Sequence, residues 1–230
     1  MIKDNIAFLL HPSLRGRAFI QNMLKKNILP SEVLLMKGDL KKTAVPPNLD
    51  SKNYFDPYEE PTVTLERANL DFSSVPSLNC NDDLVIKKLE SLKSEWVIYS
   101  GGGILRKKVL SIGKKFIHIH PGYLPNYRGS TCFYYSIINE GLCMCSGFVM
   151  EEKLDSGGII LTKSFTPPPN IDLDYIFDPW MRSETICDIL NQFDFSSEIV
   201  LKDNDLNQSE MYYIIHPVLK HIALYKSKNI

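Results

Sequence analysis

The sequence has no long apolar run, no large net charge and an odd number of cysteines. Only a short apolar stretch precedes His11 and Pro12, and nowhere does the chain reach the roughly 20 apolar residues of a membrane span. The formal net charge of −1 creates no global field that would attract nucleic acid or an anionic membrane. The five cysteines lie mostly in apolar surroundings, as reduced cysteines do. We therefore expect a cytoplasmic protein with no nucleic-acid or membrane partner.

The chain of 230 residues, 44% hydrophobic and 23% charged, has the length and composition of one globular domain. Its N-terminal half alternates strand and helix patterns. The apolar run 6–10 predicts a buried parallel strand, and Ser13 is placed to cap a helix from about residue 14 to 27. A second strand is expected at 32–36. Prolines then interrupt the pattern between residues 38 and 81, where we expect only a short strand at 62–65.

Regular patterns return after residue 81. We expect helices and strands in alternation: helix 82–94, strand 96–99, helix 104–112 and strand 116–120. This order predicts an α/β fold with a doubly wound, mostly parallel sheet. Ligands of such sheets bind at the carboxyl ends of the strands, where residues 101–103 and 118–120 fall. Further along we expect a helix at 130–139, two strands around a turn at 151–157, a helix at 172–193 interrupted near Pro179, and a last helix at 217–226.

The most informative window runs from Phe116 to Gly129 and contains two histidines. His118 and His120 are two residues apart on a strand, so both side chains point to the same face. One interpretation is a pair of hydrogen-bonded structural histidines. Another is a metal site with Cys143 and Cys145, but the His-x-His and Cys-x-Cys spacings are not those of usual zinc sites, and we expect no metal.

The same window resembles the folate-dependent formyltransferases. These enzymes carry Asn-x-His-Pro, then Leu-Pro-x-aromatic-(Arg/Lys)-Gly, and further along the chain Asp-x-Gly. This sequence reads His118-Ile119-His120-Pro121-Gly122-Tyr123-Leu124-Pro125-Asn126-Tyr127-Arg128-Gly129, followed later by Asp155-Ser156-Gly157. The stretch Ser100-Gly101-Gly102-Gly103-Ile104-Leu105 resembles the loop that precedes the motif in that family. The resemblance covers roughly residues 86–165.

The resemblance implies a Rossmann-like catalytic core at 1–165 and a short helical C-terminal extension at 166–230 packed on the same domain. It implies 10-formyltetrahydrofolate as the formyl donor and no metal. His120 and Asp155 match the catalytic histidine and aspartate, while His118 stands where the family has an asparagine. The folate is expected on two loops, formed by Gly102, Gly103, Ile104, Leu105, Glu151, Glu152 and Leu154. The glycine triplet alone is typical of any strand-ending turn.

Formyl transfer to an amine suits these residue types. The amine attacks the formyl carbon, a negative charge develops on oxygen, and a donor such as His120 can stabilise it. Asp155 can take the proton that the amine sheds, directly or through a water, and can orient His120. His118 can donate from either ring nitrogen or can serve the substrate instead.

The acceptor is expected to be a nucleotide-linked amino sugar. Windows 128–136, 174–182 and 213–220 resemble short sugar N-formyltransferases linked to pseudaminic-acid-type sugars. A tRNA acceptor is disfavoured because no basic cluster follows Phe165, and glycinamide ribonucleotide because residues 11–17 lack a glycine-rich phosphate loop. Other open acceptors are a carrier-bound amino acid or another nucleotide. A formate-releasing hydrolase and a non-catalytic relative also stay open, as does a homodimer.

Four residues are candidates for substrate binding. Arg128 can meet a phosphate or fix its own loop, and Tyr134 can stack on a sugar or base or belong to the core. Asp178 and Arg182 share one helical face with Asp174, which either lines the site or is solvated. His11 is interpreted as a polar group at a strand end that approaches the folate or the substrate.

Overall fold

The computed structural model describes residues 1–39, 45–51, 53–101 and 103–228. Its centre is a seven-stranded sheet of order β3-β2-β1-β4-β5-β7-β8, beside a small two-stranded sheet of β6 and β9. The strands are β1 (Ile2–Leu10), β2 (Leu29–Met36), β3 (Ser73–Val75), β4 (Trp96–Tyr99), β5 (Lys115–His120), β6 (Tyr127–Gly129), β7 (Cys143–Val149), β8 (Ile159–Phe165) and β9 (Glu210–Tyr212). The first five pair in parallel, and β7 and β8 add antiparallel. The predicted mostly parallel, doubly wound sheet is confirmed.

Helices cover both faces of this sheet. They are α1 (Leu14–Lys25), α2 (Pro61–Arg67), α3 (Asp83–Glu90), α4 (Lys107–Leu110), α5 (Cys132–Glu140), α6 (Asp178–Gln192) and α7 (Pro217–Ser227). Alternate residues of β1 feed two separate cores, because successive strand side chains point to opposite faces. Ile6, Phe8 and Leu10 join the core under α1 and α6, whereas Ala7 and Leu9 join the core under α3 and α4.

The predicted helix after the first strand is confirmed, with its cap. The hydroxyl of Ser13 accepts a hydrogen bond from the Gly16 amide at 3.4 Å and so satisfies one of the free N–H groups of the first turn. Asp82 caps α3 in the same way through the Leu84 amide at 2.9 Å. Local sequence therefore sets where both helices begin.

The strand predicted at residues 62–65 is wrong, because this segment is helix α2. Pro61 occupies its first turn, where a missing N–H costs nothing. The carboxylate of Glu59 then accepts a hydrogen bond from the Thr64 hydroxyl. It also accepts two hydrogen bonds of 2.9 Å from the Arg67 guanidinium. These contacts override the strand preference of the β-branched residues Thr62, Val63 and Thr64. The short strand β3 was not predicted, since its pairing with β2 is a tertiary contact.

The helix predicted at 104–112 is shorter than expected and covers only α4. Asn81 holds the preceding residues in an extended loop. Its side-chain amide donates to the Ile104 carbonyl at 2.9 Å, and its carbonyl oxygen accepts from the Arg106 amide at 2.8 Å. A side chain from another part of the chain therefore replaces the helical hydrogen bonds.

The residues after Phe165 pack directly on the first part of the chain. A π-helical turn at Leu173–Phe177 precedes α6, so the predicted interruption near Pro179 is confirmed. Helix α6 lies against α1, where Asn22 donates to Glu184 at 2.9 Å. The division at residue 165 stays a prediction. Among the described residues, no helix has the length and apolar character to cross a membrane.

Candidate active site

A buried histidine and a buried aspartate meet at the carboxyl edge of the sheet. His120 ends β5 and is 2% exposed, and Asp155 lies in the turn between β7 and β8 and is 9% exposed. His120 Nδ1 lies 3.6 Å from Asp155 Oδ1. The register pairs Ile117 with Val149 and His120 with Ser146, so the loop after β7 begins beside the first half of β5. This nine-residue loop then carries Asp155 back to His120 at the end of β5.

The turn that carries Asp155 is held from several directions. Asp155 has a left-handed backbone with φ +48°, and its Oδ2 accepts a hydrogen bond from the Gly129 amide at 2.8 Å. The side-chain amide of Asn204 donates to the carbonyls of Asp155 at 3.0 Å and Gly157 at 3.1 Å. Arg128 donates to the Leu154 carbonyl. The carboxylate therefore keeps one oxygen, Oδ1, directed at His120.

The ring of His120 is fixed through its other nitrogen. Nε2 donates to the Tyr127 carbonyl at 2.8 Å, since a carbonyl can only accept. A Cβ at Gly122 would lie 2.7 Å from both this nitrogen and this carbonyl, so only glycine fits there. Ser146 holds the same turn by donating to the Gly122 carbonyl at 2.7 Å and accepting from the Leu124 amide at 2.9 Å.

The protonation state of His120 follows from its surroundings. Burial lowers the pKa of this imidazole from 6.5, although the Asp155 carboxylate and the Tyr127 carbonyl oppose the shift. The neutral ring keeps its proton on Nε2, so Nδ1 presents a lone pair to the carboxylate. His120 and Asp155 can therefore hold one further proton between them, as a proton acceptor must.

His118 is also neutral. Burial, followed by the charges of Arg15 and Arg182, holds the pKa of this imidazole well below 6.5. Nδ1 donates to the Tyr99 carbonyl at 3.4 Å, and the ring packs edge-on against Phe148 with centroids 5.9 Å apart. Nε2 is then a hydrogen-bond acceptor, a role that the side-chain carbonyl oxygen of an asparagine can also fill.

Asp178 and Arg182 are buried, so the solvated helix face considered above is wrong for these two residues. Arg182 Nε donates to Asp178 Oδ1 at 2.8 Å, and its Nη1 donates to the Ile119 carbonyl at 3.2 Å. That carbonyl lies between the two histidines in the chain. Helix α6 thus supports the end of β5 with a buried ion pair.

The two loops expected to hold the folate lie side by side. Lys107, directly after the first loop, forms an ion pair of 3.4 Å with Glu152 on the second. Tyr99 donates its hydroxyl proton to the Gly103 carbonyl, and Leu105 is buried in the core. Ile104 is 71% exposed, and Leu154 is 45% exposed. Glu151 is exposed on the second loop, and Gly102 lies outside the described residues.

The remaining two candidates make contacts within the protein. Tyr134 is 1% exposed and donates its hydroxyl proton to Asp174 at 2.8 Å, as a core tyrosine with a satisfied hydroxyl would. Arg128 donates to Leu154 and, at 3.0 Å, to the Ser209 hydroxyl, so its observed contacts fix the Asp155 turn. Substrate binding by either residue stays a prediction.

Comparisons with known proteins find formyltransferases as relatives and structural neighbours. No family model matches the sequence. The methionyl-tRNA formyltransferase of Helicobacter pylori strain 26695 is 35% identical over 91 residues, which are 39% of this chain and 30% of that protein. The methionyl-tRNA formyltransferase of Finegoldia magna is 28% identical over 125 residues, which are 53% of this chain and 40% of that protein. The matched span is therefore less than half the length of these relatives.

Solved structures extend the likeness over almost the whole chain. A sugar N-formyltransferase from a Shewanella species aligns with a TM-score of 0.60 and 17% identity, covering 96% of this chain and 87% of that chain. A glycinamide ribonucleotide transformylase from Symbiobacterium toebii aligns with a TM-score of 0.56 and 12% identity, covering 89% and 93%. A 4-N formyltransferase from Francisella tularensis aligns with a TM-score of 0.51 and 16% identity, covering 96% and 87%.

The chain has the formyltransferase fold. The resemblance stated from the His120 and Asp155 motifs is thereby confirmed, and these motifs lie at the carboxyl edge of the sheet, where this type of fold places its ligands. The proteins with this fold differ in the acceptor that their names state. The acceptor of this chain is therefore a separate question from its fold.

Within this formyltransferase fold, residues 1–39, 45–51, 53–101 and 103–228 contain no cluster of three or more His, Cys, Asp or Glu side chains suited to a metal ion. Cys143 and Cys145 are buried in β7 as free thiols, and burial raises the pKa of the Cys145 thiol to about 12. His118 instead bonds to a backbone carbonyl.

The sequence did not reveal three residues that shape this site. Asn204 clamps the Asp155 turn from the C-terminal segment, and Asn81 shapes the first expected folate loop. Neither lies near a recognised motif, so no local pattern indicates it. Arg15, whose charge acts on His118, had one usable indication. It is a charged residue at the start of the first helix, close to the turn after the first strand, where ligands of doubly wound sheets approach.

Stability should fall below neutral pH because His118 is held neutral in the folded state. The unfolded imidazole takes up a proton near its ordinary pKa of 6.5, whereas the folded one resists protonation. The contribution of His118 to the free energy of unfolding is therefore fully present above pH 6.5 and is lost as the pH falls below this value. One such histidine contributes a loss of about 1.4 kcal/mol between pH 7.5 and 5.5.

Urea unfolding at both pH values measures this loss. In His118→Asn the loss should shrink by about 1.4 kcal/mol. An equal pH dependence in His118→Asn and in the unmodified protein would contradict the neutral state assigned to His118.

Proposed function

We propose that this protein transfers a formyl group from 10-formyltetrahydrofolate to the amine of a nucleotide-linked amino sugar. One observation carries the proposal: a buried His120–Asp155 pair, able to accept a proton, lies at the carboxyl edge of a formyltransferase fold. The sugar acceptor is supported by the alignment with a sugar N-formyltransferase over 96% of this chain. It is also supported by the resemblance of residues 128–136, 174–182 and 213–220 to short members of that branch.

The two loops beside the site fit a folate. A flat heteroaromatic ring needs apolar surfaces above and below it and backbone groups at its edge. Ile104 and Leu154 present exposed apolar side chains on two loops, and the Lys107–Glu152 ion pair spans the gap between these loops. We propose that Gly102, Gly103, Ile104, Leu105, Glu151, Glu152 and Leu154 hold the donor there. When bound, the donor supplies an activated formyl group.

The residues of the site are proposed to have two further roles, which are proton acceptance and positioning. Asp155 and His120 accept the proton that the attacking amine loses, because Oδ1 and the Nδ1 lone pair face each other at 3.6 Å. The ion pair between Asp178 and Arg182 fixes the end of β5, because Arg182 also donates to the Ile119 carbonyl. These two are positioning residues, since their observed contacts are with the protein.

His118 is proposed to have an auxiliary role that asparagine can fill. Because its Nδ1 proton is directed at the Tyr99 carbonyl, the neutral ring offers an acceptor at Nε2. We expect His118→Asn to keep substantial activity, losing much less than the ~10²–10³ in rate that removal of an oxyanion donor costs. Initial rates of product formation measure this. A loss as large as that range would assign His118 an essential role of its own.

The product decides the function. The purified protein is incubated with 10-formyltetrahydrofolate and a panel of nucleotide-linked amino sugars, and each mixture is analysed by mass spectrometry. A product heavier by one formyl group, absent with Asp155→Asn, is the expected result. Formate released equally with and without an acceptor would replace the transferase by a hydrolase. Absence of both formylated product and formate across the panel would count against the sugar acceptor.

Methionyl-tRNA is the second candidate acceptor. It is favoured by the curated relatives, whose names state that activity, although the match covers only 30% of the Helicobacter pylori protein. Incubation with charged initiator tRNA and a donor labelled in the formyl group tests it directly. Label in acid-precipitated tRNA, with none in the amino sugars, would support this candidate against the first.

A further inference from the structure

Arg15 is a half-buried cation that has no partner among the described residues. It lies in the first turn of α1, directly after β1, and its Nε is buried without a hydrogen bond. Across the described ranges, no hydrogen bond or ion pair to its guanidinium is found. His11 is similar, because its Nδ1 is also buried and unbonded. Buried polar groups are normally paired, so two unpaired groups four residues apart indicate a ligand site.

The charges around Arg15 do not compensate it. Asp178 is the carboxylate that acts on it, but Asp178 is already paired with Arg182 at 2.8 Å. Burial and the neighbouring Arg182 lower the pKa of the Arg15 guanidinium to about 10. Two arginines therefore share one carboxylate, and one positive charge is left over. A charge that is partly shielded from water and left uncompensated is unfavourable, so an anion would complete the group.

The polar groups of Arg15 and Ser13 both lie beside Gly101. Gly101 lies two residues after β4, and a Cβ built there would lie 3.9 Å from Arg15 Nη1 and 4.0 Å from the Ser13 hydroxyl. With no side chain at Gly101, the guanidinium and the hydroxyl border a shared space. Arg15 is also close enough to His118 to lower the pKa of that imidazole. The space therefore adjoins the proposed catalytic residues.

We propose that Arg15, together with His11 and Ser13, binds an anionic group of the acceptor substrate. The group is a phosphate or a carboxylate, which a guanidinium can bind with two parallel hydrogen bonds. The inference rests on the proposed function only in naming the acceptor as the owner of the anion. The amine to be formylated would then be carried by an anionic molecule, as in a nucleotide-linked sugar or an amino acid.

Thermal unfolding without folate tests the anion site. The full chain is heated with pyrophosphate, uridine diphosphate, glycine or acetate, each against sodium chloride of equal ionic strength. At a concentration ten times its Kd, a bound anion should raise the Tm by about 3–6 °C. Stabilisation by the two phosphates alone indicates a phosphate, and stabilisation by glycine or acetate alone indicates a carboxylate.

Substitutions assign the effect to Arg15. Arg15→Met and Arg15→Gln should abolish the anion shift and should not lower the Tm of the ligand-free protein, because each removes an uncompensated charge. Arg67→Met removes the same charge from an exposed arginine that pairs with Glu59, and should keep the anion shift. The proposal is overturned if no anion stabilises the unmodified protein, if both Arg15 variants respond as it does, or if both lower the ligand-free Tm.

The anion site and the formyl transfer can fail separately. An Arg15-dependent shift without any formylated amine would retain the site and reject the proposed function. Once an acceptor is known, Arg15→Met should raise its KM at least tenfold while leaving the KM of the folate unchanged. An unchanged acceptor KM would reject the site while retaining the function.

Discussion

Asp155→Asn should reduce kcat/KM by about 10³ and leave the fold intact, within the ~10²–10⁴ that a positioned acid or base contributes. The expected loss is chemical because the replacement is structurally matched. An asparagine oxygen can still accept from the Gly129 amide, and asparagine tolerates the left-handed backbone of φ +48°. The amide has no basic oxygen and cannot take the proton that the amine sheds. Initial rates of formation of the formylated product measure the loss of activity. The Tm of the variant and of the unmodified protein shows whether the fold is intact.

A control with the same change of group separates charge from position. Glu66→Gln also turns a carboxylate into an amide, on the exposed face of α2 and away from the site. Its rate and Tm should match those of the unmodified protein. If Asp155→Asn keeps its rate within tenfold of the unmodified protein, Asp155 is not the proton acceptor.

His120→Gln should lower kcat/KM to a similar degree, by about 10²–10⁴. The glutamine amide can reach the Tyr127 carbonyl in place of Nε2, but it offers no basic nitrogen to Asp155. His120→Ala should be equally slow and also less stable by about 1–3 kcal/mol, because the Tyr127 carbonyl loses its donor. Rates and urea unfolding of both variants test this difference.

The double variant Asp155→Asn with His120→Gln tests whether the two residues act as one unit. Groups that share one proton lose their function together, so the double variant should be about as slow as either single variant. Multiplied losses would show that the two residues contribute independently, against the shared proton inferred from the 3.6 Å contact. A fully active His120→Gln would remove His120 from the mechanism.

The sequence predicted this fold where local patterns and the tertiary structure agree. The apolar run in β1, the Ser13 cap and the residues around Pro179 all match the observed elements. The prediction failed at α2, where Glu59 holds Thr64 and Arg67 in a helix despite three β-branched residues. It also failed at 104–106, which Asn81 keeps extended. In both places a side-chain contact decided against local propensity.

The sequence by itself determined the doubly wound sheet and the edge of that sheet at which the functional motifs lie. Strand periodicity puts His118 and His120 on one face, and parallel strands bring their carboxyl ends to one edge. Only the tertiary structure decided the state of each group there. It buried the Asp178–Arg182 pair, which the same helical spacing would allow on a solvated face. Within the part of the chain that the structure describes, it left Arg15 unpaired. Burial and charge balance depend on contacts between distant residues, and such contacts leave no period in the sequence.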